Sequence, residues 1–451
     1  MVVTLFIALL ARTEDWFNYT GPLTGHMNES ATWGTPTNGL PVHLTISDKG
    51  AKVSIVDNSL KGDGWKGEAK LDLDGLSYVN GELKGTVAFK NSSGVVLEGL
   101  RFDVVGATEA YTAKDASGKE IAMSRAQTIS EESPILLGDL QPDQNAGSFP
   151  FHASGLKWNP ETTGINVTLK LAGIAFLQSI PTEDYNAQLA FDLKGRLLLG
   201  SGQREGIYRY DPKSGKQDLL FSVPGTATAM AVHPIDGTIV ARWTNSHEYK
   251  VYSPSGDDRG TIAENGEAGM DSWPSYPRYD SKGNLYLAFG SNISLFNGGK
   301  PTTIINKIAG FDLHDPFTFD VTRDGTIVVA SEANIFSITA DGKNGKKLVQ
   351  GPDVKLGRTH GVSVLRTDAS GNIWIADTTD NDFSGRCQVF DRNGKFLMVF
   401  GRSAVQRKED INDVWPGQIP MVTHDFAFAP NGHVFVSGST ESTALYEFAP
   451  F

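Results

Sequence analysis

Apolar and polar side chains alternate along almost the whole chain, and no stretch longer than about ten residues keeps a 3.6-residue apolar period. Gly, Asn, Asp and Pro interrupt the alternation at short intervals. Successive side chains of a strand point to opposite faces, so this rhythm predicts an all-β chain. From about residue 35 to 171 the strands read Val42–Ile46, Lys52–Val56, Gly85–Phe89, Leu100–Val105 and Gly164–Leu171, joined by Asp-Gly, Asn-Gly or Ser-Gly turns. Strands of that length and spacing predict an antiparallel β-sandwich, with 13–171 as its domain.

After residue 171 the pattern becomes periodic. Each unit has an apolar strand, a turn ending in Gly and three further strands, and the turn glycines are Gly195, Gly237, Gly283, Gly325, Gly371 and Gly432. Their spacings of 42, 46, 42, 46 and 61 match one four-stranded blade per unit, and six units predict a six-bladed β-propeller over 172–451. Glycine suits a tight turn that needs φ > 0. The sixth unit runs through Ala444–Phe448 to Phe451 without a fourth strand of its own. The apolar segment Ile174–Leu177, just ahead of the first unit, is placed to supply it, so the ring is expected to close through strands from both of its ends, with little linker between the domains.

Composition narrows the classes of function. Fifty-two acidic against 40 basic side chains give a net charge of −12, which with no basic patch argues against nucleic-acid binding. The lone Cys387 excludes an internal disulfide, Cys-based zinc sites and CxxC redox chemistry. Val2–Ala11 is too short for a transmembrane helix and fits the core of a signal peptide, residues 1–12 then being its remnant. A secreted or cell-surface protein with no transmembrane segment follows as the expectation. Neither a GxSxG elbow, a P-loop, HExxH nor a dinucleotide fingerprint is found.

The fifth unit carries Gly371-Asn372-Ile373-Trp374-Ile375-Ala376-Asp377, then Arg386-Cys387-Gln388-Val389-Phe390-Asp391 and Gly394-Lys395-Phe396-Leu397. It resembles an NHL-repeat blade, and Val87–Val105 resembles the Ig-like modules of bacterial surface proteins. Cys387 stands where the repeat has an apolar residue and reads as a buried small hydrophobe.

Candidate chemistry gathers where the first strands of the units begin. His314-Asp315, Arg358-Thr359-His360-Gly361 and Thr423-His424-Asp425 open three of them. Neutral imidazoles from separate strands can hold zinc with an open coordination position. These openings are similar to those of peptidyl-hydroxyglycine lyase, a six-bladed NHL enzyme with a three-histidine zinc site. That resemblance implies His314, His360 and His424 as metal ligands, with Arg358, Tyr276 and Arg278 nearest to catalytic roles. Asp184, Tyr185, Asp271, Trp273, Asp315 and Asp425 are the ligand-binding candidates at the same mouth. Zinc and calcium are the cofactor candidates, calcium from the oxygen-rich run Asp377–Asp382. The early Glu-Gly-Pro motif of the gluconolactonase and regucalcin family is absent.

Three functions fit. The first is an exported binding or assembly protein whose propeller mouth takes a small molecule, peptide, glycan or cell-surface protein. A metal-dependent lyase or hydrolase with a three-His site is the second, and a structural subunit of a surface layer or filament the third.

Overall fold

The computed structural model describes residues 25–26, 39–131, 134–182, 186–201, 204–211, 214, 216–243, 248–263, 277–289, 291–297, 300–313, 317–353, 355–377, 385–402, 416–419, 422–439 and 443–451. Among them the chain is all-β: antiparallel strands joined by tight turns, one 3₁₀ turn and no α-helix. No helix is long and apolar enough to cross a membrane. The segment Val2–Ala11 lies outside the described residues. Two compact units form, one from Gln178–Glu447 and the other from Gly21–Leu177 together with Phe448–Phe451.

In the N-terminal unit, Thr162–Pro181 pairs on one side with Leu40–Ser47 and on the other with Val96–Lys114, which also pairs with Glu120–Gln127 and Ile135–Leu140. A second sheet runs Ser59–Leu60, Ala69–Val79, Glu82–Phe89, Phe149–Ser154, Ser130–Glu131. The alternation seen in the sequence becomes burial: Val42, Leu44 and Ile46 of the first sheet and Leu71, Leu83, Val87 and Phe89 of the second share one hydrophobic core. Glu109, buried on Val96–Lys114, accepts from Thr162 Oγ1, from Arg125 Nη2 at 2.7 Å and from Asn159 Nδ2 at 3.0 Å. Phe451 joins the same core, its ring edge-on to Trp65 at 5.0 Å, and exchanges two backbone hydrogen bonds of 3.0 Å with Gly173.

The larger unit is a succession of antiparallel meanders. Three are separate four-stranded sheets, running from Arg278–Tyr279 to Lys300–Ile305, from Phe317–Val321 to Lys346–Val349 and from Val362–Thr367 to Phe396–Phe400. The strands from Asn186–Phe191 to Asp258–Ala263 form seven strands in one order, because the long strand Lys216–Val232 ends one meander and begins the next. The last order is Val422–Phe428, Val434–Ser439, Thr443–Pro450, Thr162–Pro181. Ile174–Leu177 lies in the N-terminal unit, on the strand that neighbours Thr443–Pro450. Within the larger unit Gln178 Nε2 donates to Glu447 Oε2 at 2.6 Å, and Glu447 Oε1 lies 2.7 Å from His433 Nδ1.

First strands contact one another in a circuit. Asn186–Phe191 touches Lys216–Val232, followed by Arg278–Tyr279, Phe317–Val321, Val362–Thr367 and Val422–Phe428, which returns to Asn186–Phe191. Apolar side chains fill the spaces between consecutive meanders. Leu189, Leu197 and Leu199 of the first pack with Ala427, Phe435 and Leu445 of the last. The six turn glycines all have φ between +73° and +89°, the region that disfavours a side chain.

Candidate functional site

The axis of this circuit is lined by a layer whose position can be counted from the turns. Ala190, Val232, Arg278, Asp320, Arg366 and Ala427 each stand five residues before a turn glycine. All six line one cavity of ≈ 230 Å³. One side of it is apolar, with Met230, Phe191 and Phe428 beside the small residues, and the other carries Arg278, Asp320, Arg366 and Thr367. The cavity lies toward the ends of the first strands that lead into the turns.

Charges on the polar side are tied to one another by a motif that occurs twice. Asp320 Oδ1 lies 3.3 Å from Arg278 Nε on the preceding first strand, and Asp320 Oδ2 accepts from the Thr367 N–H, on the following first strand, at 2.7 Å. Asp425 repeats this around the ring. It takes Arg366 Nε at 2.7 Å and Nη2 at 2.6 Å from the preceding strand, and the Leu189 N–H at 2.9 Å from the following one. Each aspartate also accepts from the N–H of the residue after it, Val321 or Phe426. Each carboxylate therefore joins three first strands. Arg278 also donates to the carbonyls of Phe319 and Pro277.

A second buried network shapes the opposite end of the fifth meander. Asp377, on Ile373–Asp377, pairs with Arg386 at 2.8 Å, and both side chains are 0% exposed. Asp377 also accepts from the N–H groups of His360 at 2.8 Å and Gly361 at 3.0 Å and from Gln388 Nε2 at 3.0 Å. Gln388 Nε2 donates to the Arg358 carbonyl at 2.7 Å, while its Oε1 accepts from Gly357 N–H at 3.0 Å. The loop carrying Arg358 and His360 is thus held by its backbone from beneath. Both residues are half-buried.

His424 owes its position to a bulge. Thr423 pairs with Gly438 and Asp425 with Ser437, which leaves His424 as the extra residue. Matching bulges at Ala187, Thr228 and Ser363 stand near the start of three other first strands. A bulge re-aims the side chains around it. Burial pushes the His424 imidazole below its usual pKa, and the neighbouring Asp425 opposes that shift.

Of the residues singled out in the sequence, Arg278, Arg358, His360, His424 and Asp425 are described. Asp184, Tyr185, Asp271, Trp273, Tyr276, His314 and Asp315 lie outside the described residues, as does most of Asp377–Asp382. Arg278 and Asp425, expected at the mouth, are buried in the axial ion pairs. Cys387 is buried. Among the described residues no three His, Cys, Asp or Glu side chains gather as a metal site. Asp320, Arg366 and Arg386 were not anticipated. For Asp320 and Arg366 a signal is present in the sequence: with Arg278 they share one offset from the turn glycine.

No family model matches the chain, and no curated protein matches it in sequence. Solved structures that it resembles include the following three, each with a TM-score below 0.5. A gluconolactonase from Xanthomonas campestris is 12% identical, with 62% of this chain and 90% of that one covered and a TM-score of 0.43. Regucalcin, a calcium-binding protein from Agrobacterium tumefaciens, is 15% identical over 60% and 93%, with a TM-score of 0.43. Virginiamycin B lyase from Staphylococcus aureus is 12% identical over 87% and 97%, with a TM-score of 0.39. At this level of likeness their activities carry nothing over to this chain.

Proposed function

We propose that the protein is an exported binding or assembly protein, an Ig-like sandwich followed by a six-bladed NHL-type propeller whose mouth takes a ligand or partner. Six blades are supported by the circuit of first strands and by the six turn glycines. The observation that carries the functional reading is the mutual commitment of the buried charges. Asp320, Asp425 and Asp377 each meet an arginine and at least two backbone N–H groups, which makes them parts of a rigid frame. A frame of that kind holds loops in place for recognition, and the His360 loop is one that it holds.

The metal-dependent lyase or hydrolase is the second reading. In its favour, His360 and His424 lie at the starts of Val362–Thr367 and Val422–Phe428, first strands that contact each other. Zinc there would supply a Lewis acid and an activated water. Elemental analysis of the purified full chain separates the two. Metal-free protein that binds a glycan or peptide on an array is the expected result. About one zinc per chain, lost in His360→Ala, overturns the binding reading in favour of the enzyme.

A further inference from the structure

A second cavity lies off the axis. It is a cleft of ≈ 470 Å³ between the meander Phe317–Val321 to Lys346–Val349 and the meander Val362–Thr367 to Phe396–Phe400. Turns 322–326, 344–346, 369–371 and 392–393 form its walls. Its volume falls within the range of small-molecule sites, about 300–1,000 Å³. Its surface is about evenly polar and apolar, and 11 of its 15 lining residues carry hydroxyl, amide or charged side chains.

Arg323, Lys346 and Arg392 line it together with Asp324, three positive charges and one negative, a formal +2 in a chain of net charge −12. Among the described residues neither Arg323 nor Lys346 has a carboxylate partner. Arg392 is oriented instead, its Nη2 donating to Asp324 Oδ2 at 3.1 Å. Asp324 is fixed in turn by Thr322 Oγ1 at 2.5 Å and the Thr326 N–H at 3.2 Å, and these bonds keep its carboxyl below the usual range. Ser281 Oγ donates to the Arg323 carbonyl at 2.6 Å, which anchors the turn that carries the exposed guanidinium. Two unpaired cations and one pre-oriented guanidinium around a hydroxyl-rich cleft are suited to a tetrahedral oxyanion on a polar body.

We propose that this cleft binds a sugar-sized, hydroxylated molecule through a phosphate monoester, with Arg323 and Lys346 as the principal contacts and Arg392 beside them. A sulfate ester offers the same tetrahedral oxyanion with one charge fewer. This site lies apart from the axial cavity and does not depend on what the mouth binds.

Calorimetric titration of the full chain tests the assignment, with glucose 6-phosphate, glucose 6-sulfate and glucose as probes in a buffer free of phosphate and sulfate. The expected result is saturable binding of glucose 6-phosphate, weakened at least about tenfold in Arg323→Ala/Lys346→Ala and unchanged in the control Lys49→Ala/Lys52→Ala. All four residues are exposed, so the variants keep their thermal unfolding profile. Stronger binding of the sulfate ester, lost in the same double variant, would overturn the phosphate and keep the oxyanion cleft. Absence of saturable binding by any probe overturns the proposal, as does equal affinity in the double variant or glucose binding as tightly as its phosphate.

Discussion

Arg366 and Asp425 meet side-on through two N–H···O bonds of 2.7 and 2.6 Å, the carboxylate 1% and the guanidinium 12% exposed. Asp425 belongs to the last of the first strands, Arg366 to the one before it, and the Leu189 N–H that Asp425 also takes up belongs to the earliest. One carboxylate thus spans the place where the ring returns on itself. Removing one partner of a buried pair leaves the other charge uncompensated, which costs about 3–5 kcal/mol. Asp425→Ala is expected to destabilise the larger unit by about that amount, and Arg366→Met/Asp425→Leu to recover most of it. Because two units need not unfold together, the change is read by hydrogen exchange of the strands 362–367 and 422–428. Unaltered exchange in Asp425→Ala would show that the pair is not a closure element.

Asp377 supports a loop. Its carboxylate holds the His360 and Gly361 N–H groups while neutralising Arg386, which in turn donates to the carbonyls of Lys355 and Arg358. Asp377→Ala removes both N–H anchors and leaves Arg386, which holds the two carbonyls, buried without its counter-charge. Trypsin is expected to cut this variant after Lys355 or Arg358 at least about tenfold faster than the parent, in proportion to the population of the opened loop. Equal cleavage rates would mean that the loop is held by other contacts.

The fold was legible where a local rule governs it. Alternation gave the strands around Val42–Ile46 and Gly164–Leu171, and the turn glycines marked where one strand turns into the next, because φ near +80° is a backbone demand that glycine meets at least cost. The site was less legible because its chemistry depends on neighbours distant in sequence. Asp425 reads as a rim carboxylate beside His424, and only the circuit brings Arg366, 59 residues earlier, to it. By sequence alone His424 and Asp425 read as successive residues of a regular strand, whereas the structure places a bulge at His424. Arg278 reads from the sequence as a candidate for catalysis. That it shares an offset with Asp320 and Arg366 acquires meaning only once that position is known to face the axis.

Acid should reach the N-terminal unit through Glu109. The Thr162 hydroxyl foremost, and also Arg125, Asn159 and Gln127, stabilise the carboxylate and lower its pKa from 4.5 to about 2 against the opposing effect of burial. A folded-state value below the unfolded one means that the unfolded chain binds the proton first. The contribution to stability is therefore complete above about pH 4.5 and is lost as the pH falls toward about 2. Thr162→Val, by removing the strongest of these bonds, is expected to raise the Glu109 pKa and shift the acid limb of unfolding to higher pH. Denaturation midpoints between pH 2 and pH 6 check this, and superimposable acid limbs would show that Glu109 does not govern it.

Gly283 and Gly432 occupy equivalent turns with nearly equal φ, +84° and +89°, but in unequal surroundings. A Cβ on Gly432 would meet nothing within 4 Å, whereas one on Gly283 would stand 2.2 Å from His233 Nε2. That imidazole is constrained: its ring packs edge-on to Tyr279 at 5.0 Å, and its Nδ1 lies 2.9 Å from Asp236 Oδ1. Gly432→Ala therefore carries only the left-handed backbone term, about 1–2 kcal/mol. In Gly283→Ala the same term adds to the displacement of His233 from its packing, and a total loss larger by at least about 1 kcal/mol is expected. His233→Ala/Gly283→Ala separates the two contributions. If the clash is the cause, adding Gly283→Ala to His233→Ala should cost no more than Gly432→Ala costs in the parent chain, a comparison made by denaturant unfolding. Equal losses in the two single variants would place the whole effect in the backbone and none in the imidazole.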